Sequence, residues 1–546
     1  MLILLSYFLI SLSFLSLFSM GSRVPNSPFP IPSSGLNASA SLFLIDPSNL
    51  SPDDSLTLAT LQGLLSRDTP TIYRTAPHSP YDLWRAELES LWGIVFDSTT
   101  FAGGNVWGAV SYFYTKKQVN GYVLANLTDG SVNAAVALCA IHNGTIVVTS
   151  SNVAQAKQIG LIQIDDVRGR DLTWVLANYQ LSSFSNRVTL IQNPEKTGMS
   201  DWAIATRALT WYVDDNANAT NGPAAEIWGA MSPPFFALGW GPDELNTVWA
   251  ASRAGGGVIA SDWAMDLDIL SAYDIPSFAS QVNDIPLLKE SPSPPQRHTA
   301  AFLMSDGDNV QWLLGGFAND GKYWNSSDRG SVPMGWTISA SLADLAPSAL
   351  NYFYRTSTVN DELIMGLSGA SYFYTDIAEA SGHLKDTAAL SLGYAKKAGF
   401  SYANVMTAAS TALTPSSADV MLPIDGPLKG LFHYQYSDYS GDHGAITFSP
   451  TANLPIIGAR FNLWGNGTSG QGNDFKNVYE AALTLSLSSR DPTVSNGYSL
   501  IVVHAWSHNV SDALSVMNLC EKLAPGGVDF VTPAQLVQRV AANLIH

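Results

Sequence analysis

Two carboxylates and an amide fall within four residues in Ser305-Asp306-Gly307-Asp308-Asn309, directly after the apolar run 300–304, and Trp312 follows. Paired carboxyls can divide the work of cleaving a glycosidic bond. One protonates the leaving oxygen and the other serves as nucleophile or base, at a separation of ~5–5.5 Å for retention or ~6.5–9.5 Å for inversion. Asp306 and Asp308 leave a single turn and stand close together. A carboxylate from another segment is therefore expected to complete the pair: Asp438 first, with Asp442, Asp361 and Glu362 as further candidates. The same string also suits a plain turn, because Asp and Asn bond their own backbone and Gly tolerates positive φ.

His504 and His508 stand four apart in HAWSH. At that spacing two imidazoles on one face can share a metal. No cofactor is expected; the alternative is a divalent metal on Asp306, Asp308, His504 and His508. Sugar contacts are assigned to Asn309, Trp312, Tyr372, Tyr374, His504 and Trp506, because aromatic faces stack on the C–H faces of sugars.

These side chains need elements to hold them. TAAFLM (299–304), ELIMGL (362–367), YANVMT (402–407), GLFHYQY (430–436), PIIGARF (455–461), SLIVVHAW (499–506) and VDFVT (528–532) read as strands, with helical patterns between several. Polar groups cluster where these strands end: Asp306 and Asp308, Ser368 to Tyr372, Asp438, Arg460 and Trp464, His504 and Trp506. That distribution predicts an irregular (β/α) barrel over 297–546, with its site at the C-terminal rim of the strands. Residues 41–290 alternate short apolar runs such as SLFLID, GYVLAN and TIVVTS with helical patterns, which predicts an α/β region with a mainly parallel sheet. SPSPPQ (291–296) reads as the link between the two.

Composition agrees. At 546 residues the chain exceeds what one core supports, ~250–300 residues. A net charge of −18 disfavours nucleic acid and leaves neutral carbohydrate as a compatible partner. Residues 2–20 contain no charged side chain, so 1–21 reads as a secretory signal peptide, with an uncleaved anchor as the alternative. Once cleaved, the chain is expected to be secreted and free of the membrane, with 22–40 a flexible lead-in. Eight sequons, at Asn37, Asn49, Asn126, Asn143, Asn218, Asn325, Asn466 and Asn509, would be glycosylated on that route. Cys139 and Cys520 lie in apolar stretches and read as buried thiols.

SGASYFYT (368–375) resembles the signature of the GxGYxYP putative glycoside hydrolase family. Gly369, Tyr372 and Tyr374 match, whereas Ser371 stands in place of the second Gly and Thr375 in place of the Pro. SDGDNVQW (305–312), PMGWTIS (333–339) and FVTPAQLV (530–537) are similar to that family too, as are GWGPDELNTV (239–248) and ASDWAMDL (260–267), which carry Trp240, Glu244, Asp262 and Trp263. Glu244 follows Gly-Pro-Asp and is expected to open a helix, its charge offsetting the dipole. The resemblance implies a barrel of the glycoside hydrolase/deacetylase superfamily and sugar-processing activity. The end of the chain also resembles polysaccharide-deacetylase-like barrels, whose metal sits on Asp and an HxxxH pair. Here those groups lie far apart in the chain. Three functions stand: a secreted glycoside hydrolase, a metal-dependent carbohydrate deacetylase, or a non-catalytic carbohydrate-binding or cell-surface protein.

Overall fold

The computed structural model describes Phe29 and residues 41–214, 221–275, 277–278, 296–437, 439–465, 474–475 and 477–544. Residues 1–21, the 291–295 part of the linker, Asp438, and the sequons Asn37, Asn218 and Asn466 lie outside them. Of the lead-in only Phe29 is described, and its ring packs 4.8 Å from Phe236. Asn49, Asn143 and Asn325 are exposed, while Asn126 and Asn509 are half-buried. Cys139 and Cys520 are free and buried. Among the described residues no helix is long and apolar enough to cross a membrane.

The parallel pairing expected of the N-terminal half is realised in three separate sheets. Ser41–Ile45 lies between Ile72–Arg74 and Val95–Asp97, and Gly121–Ala125 between Thr145–Thr149 and Ile162–Asp166. The third sheet runs Gly256–Ile259, Phe235–Gly239, Val188–Ile191, Leu209–Trp211. The helix Pro52–Leu65 ties them together. Ser51 caps it by accepting from the Asp54 N–H at 3.1 Å, and Pro52 occupies a first-turn position where no donor is missed. Leu56 to Leu65 are all buried, since the helix meets neighbours on every side. Gly63 permits one of those approaches: a Cβ there would lie 2.2 Å from the Asp201 carbonyl oxygen.

A charged cluster seals that junction. Arg74 Nη2 donates to Asp201 Oδ2 at 2.7 Å, and Arg74 Nε lies 3.6 Å from Asp266 Oδ1. Gln62 Nε2 donates to Asp266 Oδ1 at 2.8 Å and Asp268 Oδ1 at 3.0 Å. All five side chains are buried, and desolvation raises Asp266 to about 7 and Asp268 well above the carboxylate range. One guanidinium thus serves three carboxyls, and retained protons offset part of the remaining charge.

In the C-terminal half seven parallel strands close a barrel: His298–Met304, Met334–Ile338, Asp361–Met365, Tyr402–Thr407, Gly430–Gln435, Pro455–Leu463 and Tyr498–Val503. Closure follows because the first strand pairs with both the second and the last. Two memberships differ from the sequence reading. Val528–Phe530 is outside the ring and pairs only at the entry of the first strand, His298 opposite Val528. Met334–Ile338 takes its place. Gly335 weakens the local strand signal, yet the packing demands it, because a Cβ would meet Pro533 at 2.6 Å and Leu303 at 3.0 Å.

The third N-terminal sheet is welded to the barrel rim. Val258 and Tyr372 exchange two backbone hydrogen bonds of 2.8 Å as an antiparallel bridge. The Tyr374 N–H donates to Ser252 Oγ at 2.9 Å, and the Gln311 N–H to the Ala260 carbonyl at 3.2 Å. The substituted signature has a local explanation. Ser371 keeps a negative φ, so no glycine is needed, whereas a Cβ on Gly257 would fall 2.1 Å from Ser371 Oγ. Thr375 opens the helix Thr375–Ala380, a position where Pro would also fit.

Candidate active site

Met304 aligns with Trp336 on one side and Val503 on the other, so Ser305–Asn309 and His504 emerge together at the C-terminal rim. Asp306 adopts φ 66°, a left-handed conformation that Asp tolerates better than most residues. Ser305 Oγ donates to Asp306 Oδ2 and accepts from the Ala505 N–H at 3.2 Å. The Gly307 N–H donates to Thr337 Oγ1 at 2.9 Å, and that hydroxyl donates to the Met304 carbonyl at 2.7 Å. A Cβ on Gly307 would lie 1.6 Å from the Thr337 carbonyl oxygen. Gly307→Ala is therefore expected to displace the turn and destabilise the protein by about 1–3 kcal/mol, read from the urea midpoint. Asn309 is spent locally: its Oδ1 caps the following turn by accepting from the Trp312 N–H at 3.1 Å.

A third carboxyl comes from the N-terminal half. Asp243, not Glu244, caps the helix Glu244–Arg253, accepting from the Asn246 N–H at 2.7 Å. Glu244 turns toward the barrel instead, where its Oε1 accepts from the Tyr372 hydroxyl at 2.9 Å. Tyr374 Oη lies 3.3 Å from Tyr372 Oη, and Trp240 stacks over Tyr372 at 6.4 Å. Tyr372 and Tyr374 are buried, so they form a hydrogen-bonded wall rather than the open faces that stacking on a sugar requires.

The carboxyls feel one another. Burial pushes Asp308 well above the usual carboxylate range, and Asp306 and Glu244 add to the shift. Burial raises Glu244 to about 7, with Asp306 and Asp243 contributing and the Tyr372 hydrogen bond opposing. Tyr434 is buried beside the same trio, with its hydroxyl unpartnered among the described residues and raised by desolvation, then by Asp306, Asp308 and Glu244. Tyr439 stacks on Tyr434 at 5.0 Å and meets Trp464 edge-on at 4.8 Å. His504 is sandwiched there. Its ring stacks on Trp464 at 3.8 Å with planes 9° apart, and Nε2 lies 4.0 Å from Asp306 Oδ2.

The rim thus gathers Asp306, Asp308 and His504 with Tyr372 and Tyr374. Trp312 belongs to its packing, wedged between Phe317, Tyr323 and Trp506, with Trp506 left 54% exposed. Other candidates sit elsewhere. Asp361 begins its strand, at the opposite end of the barrel, where it pairs with Arg329 and accepts from Trp336 Nε1. Glu362 is buried beside it, raised to about 8 by desolvation. Asp442 is exposed, and Arg460 is bonded to Asn496 and the Ser495 carbonyl. His508 bonds Ser507 Oγ through Nδ1 at 3.0 Å and lies against Gly465. It does not join His504 and the aspartates as a ligand set. Among the described residues, the one group of three ligands within metal reach is Asp201, Asp266 and Asp268, in the buried domain junction.

The sequence pattern puts Trp464 at the strand-end rim but gives no sign of Tyr434 or Tyr439 in the site, and it assigns Glu244 to helix capping. The string Gly-Pro-Asp-Glu carried a signal in hindsight: Asp243 is itself a better cap, which frees the next carboxyl.

Family models match the chain nearly end to end. The GxGYxYP_N first domain matches residues 41–113, the second domain 119–182 and the GxGYxYP third domain 186–272. The GxGYxYP putative glycoside hydrolase C-terminal domain matches residues 296–541. A crystal structure of a putative hydrolase from Bacteroides thetaiotaomicron VPI-5482 is 25% identical, with a TM-score of 0.82 over 95% of this chain and 99% of that one. A search of the curated proteins finds no match.

Proposed function

The chain belongs to the GxGYxYP family, and on that premise we propose that its barrel rim hydrolyses glycosidic bonds by carboxyl acid–base chemistry. The observation that carries this reading is the convergence of Asp306, Asp308 and Glu244, drawn from two halves of the chain, inside an aromatic wall. Glu244 is the proton donor to the leaving oxygen. Its raised pKa keeps a proton available near neutral pH, as a general acid requires. Asp306, more open than Asp308, is the carboxylate that supports the oxocarbenium-like centre or activates water. The Ser305 hydroxyl holds its orientation, His504 stands 4.0 Å away, and Asp308 retains a proton beside it. Trp464, half-buried with one face stacked on His504, offers its other face to the sugar. The uncharged stretch 2–20 and the exposed sequons support action outside the cell on a carbohydrate substrate.

The test is incubation of the purified protein with a panel of glycans. New reducing ends support the proposal. Chelator-sensitive acetate release would point to a deacetylase, and binding without turnover to a lectin-like protein; either result overturns it. The pH profile adds a sharper check. Glu244 carries its proton below about 7 and loses it above. kcat/KM is therefore expected to fall as pH rises through that value. Glu244→Gln should lower activity by about 10²–10⁴-fold and abolish that limb. A limb that persists in the variant removes Glu244 from the role.

A further inference from the structure

Two tryptophans with unusually open rings are attached to the turn that follows Asp308. Trp263 is 65% exposed and Trp506 is 54% exposed. They come from different parts of the chain, one from the third N-terminal domain and one from the loop after the barrel strand Tyr498–Val503. Both connect to adjacent residues of the helical turn Val310–Trp312: the Trp263 N–H donates to Gln311 Oε1 at 2.5 Å, and the Trp506 ring packs 5.2 Å from Trp312.

Neither ring is loose. The Lys196 ammonium sits 4.2 Å from the centroid of Trp263 and is itself fixed by the buried carboxylate of Asp262. That bracing occupies one face of the indole by a cation–π contact. Trp506 leans on Trp312, which is clamped by Phe317 and Tyr323, each at 4.9 Å. A braced ring with a solvent-facing side loses little freedom when a flat apolar ligand stacks on it.

Resting on the glycosidase reading, we propose that Trp263 and Trp506 are outer sugar-binding platforms. The substrate is then an oligo- or polysaccharide chain lying across the seam between the third domain and the barrel, rather than a small glycoside. Its sugars carry no negative charge, because the Asp306 carboxylate and the chain's net charge of −18 would repel an acidic chain and the Lys196 charge is already matched by Asp262.

The experiment measures kcat/KM on neutral oligosaccharides of increasing length and on a short aryl glycoside, for wild type, Trp263→Ala, Trp506→Ala and the control Tyr479→Ala. Tyr479 is 54% exposed, on the helix Val478–Leu487. The long-to-short ratio should fall about tenfold in each Trp variant, roughly one aromatic stacking contact, and stay unchanged in the control. Equal ratios in all four proteins, or faster cleavage of sulfated or uronic chains than of neutral ones, overturns the proposal. If wild type cleaves nothing, affinity electrophoresis in the same glycans separates the two claims. Retardation lost in the Trp variants keeps the platforms without the hydrolase, and no retardation of wild type removes the platforms too.

Discussion

Asp306→Asn is expected to lower glycan turnover by about 10³-fold or more while leaving binding of the intact glycan within a few-fold of wild type. The substitution is close to isosteric, and Asn accepts the left-handed φ of 66° that this turn imposes. Its side-chain oxygen can still accept from Ser305 Oγ, so the turn pinned by Thr337 keeps its shape. Only the negative charge is removed. Charge matters most in the transition state, where the sugar ring turns cationic inside a wall of rings that screens poorly. Loss of kcat with KM nearly unchanged would identify an interaction made only there. Asp308→Asn should cost less, because Asp308 is buried and already holds its proton, so the amide replaces a neutral group. Initial rates and isothermal titration on both variants decide the matter. If Asp306→Asn turns over glycan at the wild-type rate, Asp306 is not the catalytic carboxylate.

The second large effect is on stability. Arg74→Ala is expected to destabilise the protein by about 3–5 kcal/mol, seen as a lower urea midpoint. The guanidinium is the cation facing Asp201, Asp266 and Asp268, all 0% exposed, and removing it leaves the charge that Asp201 and Asp266 retain without compensation in a dry junction. Asp268→Asn should be much milder, because that carboxyl is held well above its ordinary range and is neutral in the fold. Asp266 sets the pH dependence. Its folded pKa of about 7 lies above the unfolded value of about 3.9, so the folded state keeps a proton that the unfolded chain has already lost. The associated stability is fully present below about pH 4 and is lost as pH rises to about 7. Wild type should therefore lose stability across that window relative to Asp266→Asn. Parallel curves for the two proteins would refute this account.

Much of the barrel was legible because its strands are local facts. Runs such as TAAFLM and YANVMT are buried on both faces and need no partner to be recognised. Met334–Ile338 carries a weak strand signal because glycine lowers strand propensity, and what requires that glycine is Pro533, about two hundred residues on in the chain. Val528–Phe530 reads as strongly as any barrel strand. Whether it joins the ring depends on which edge of the first strand remains open. The site divides the same way. Asp306, Asp308 and His504 were recoverable because each follows an apolar run, and a parallel barrel sends all such ends to one rim.

By itself the sequence determined the strand-end chemistry: which residues each strand delivers, and the acidic, aromatic character of the rim. Only the tertiary structure decided which carboxyls meet. Glu244 looked like a cap until Asp243 took that place and Tyr372 drew its side chain to the barrel. Asp361 and Glu362 looked available until strand direction put them at the far end. The reason is physical. Side-chain type and spacing act over a few residues, whereas a shared site depends on pairing between distant segments, such as Val258 with Tyr372, which no local pattern encodes.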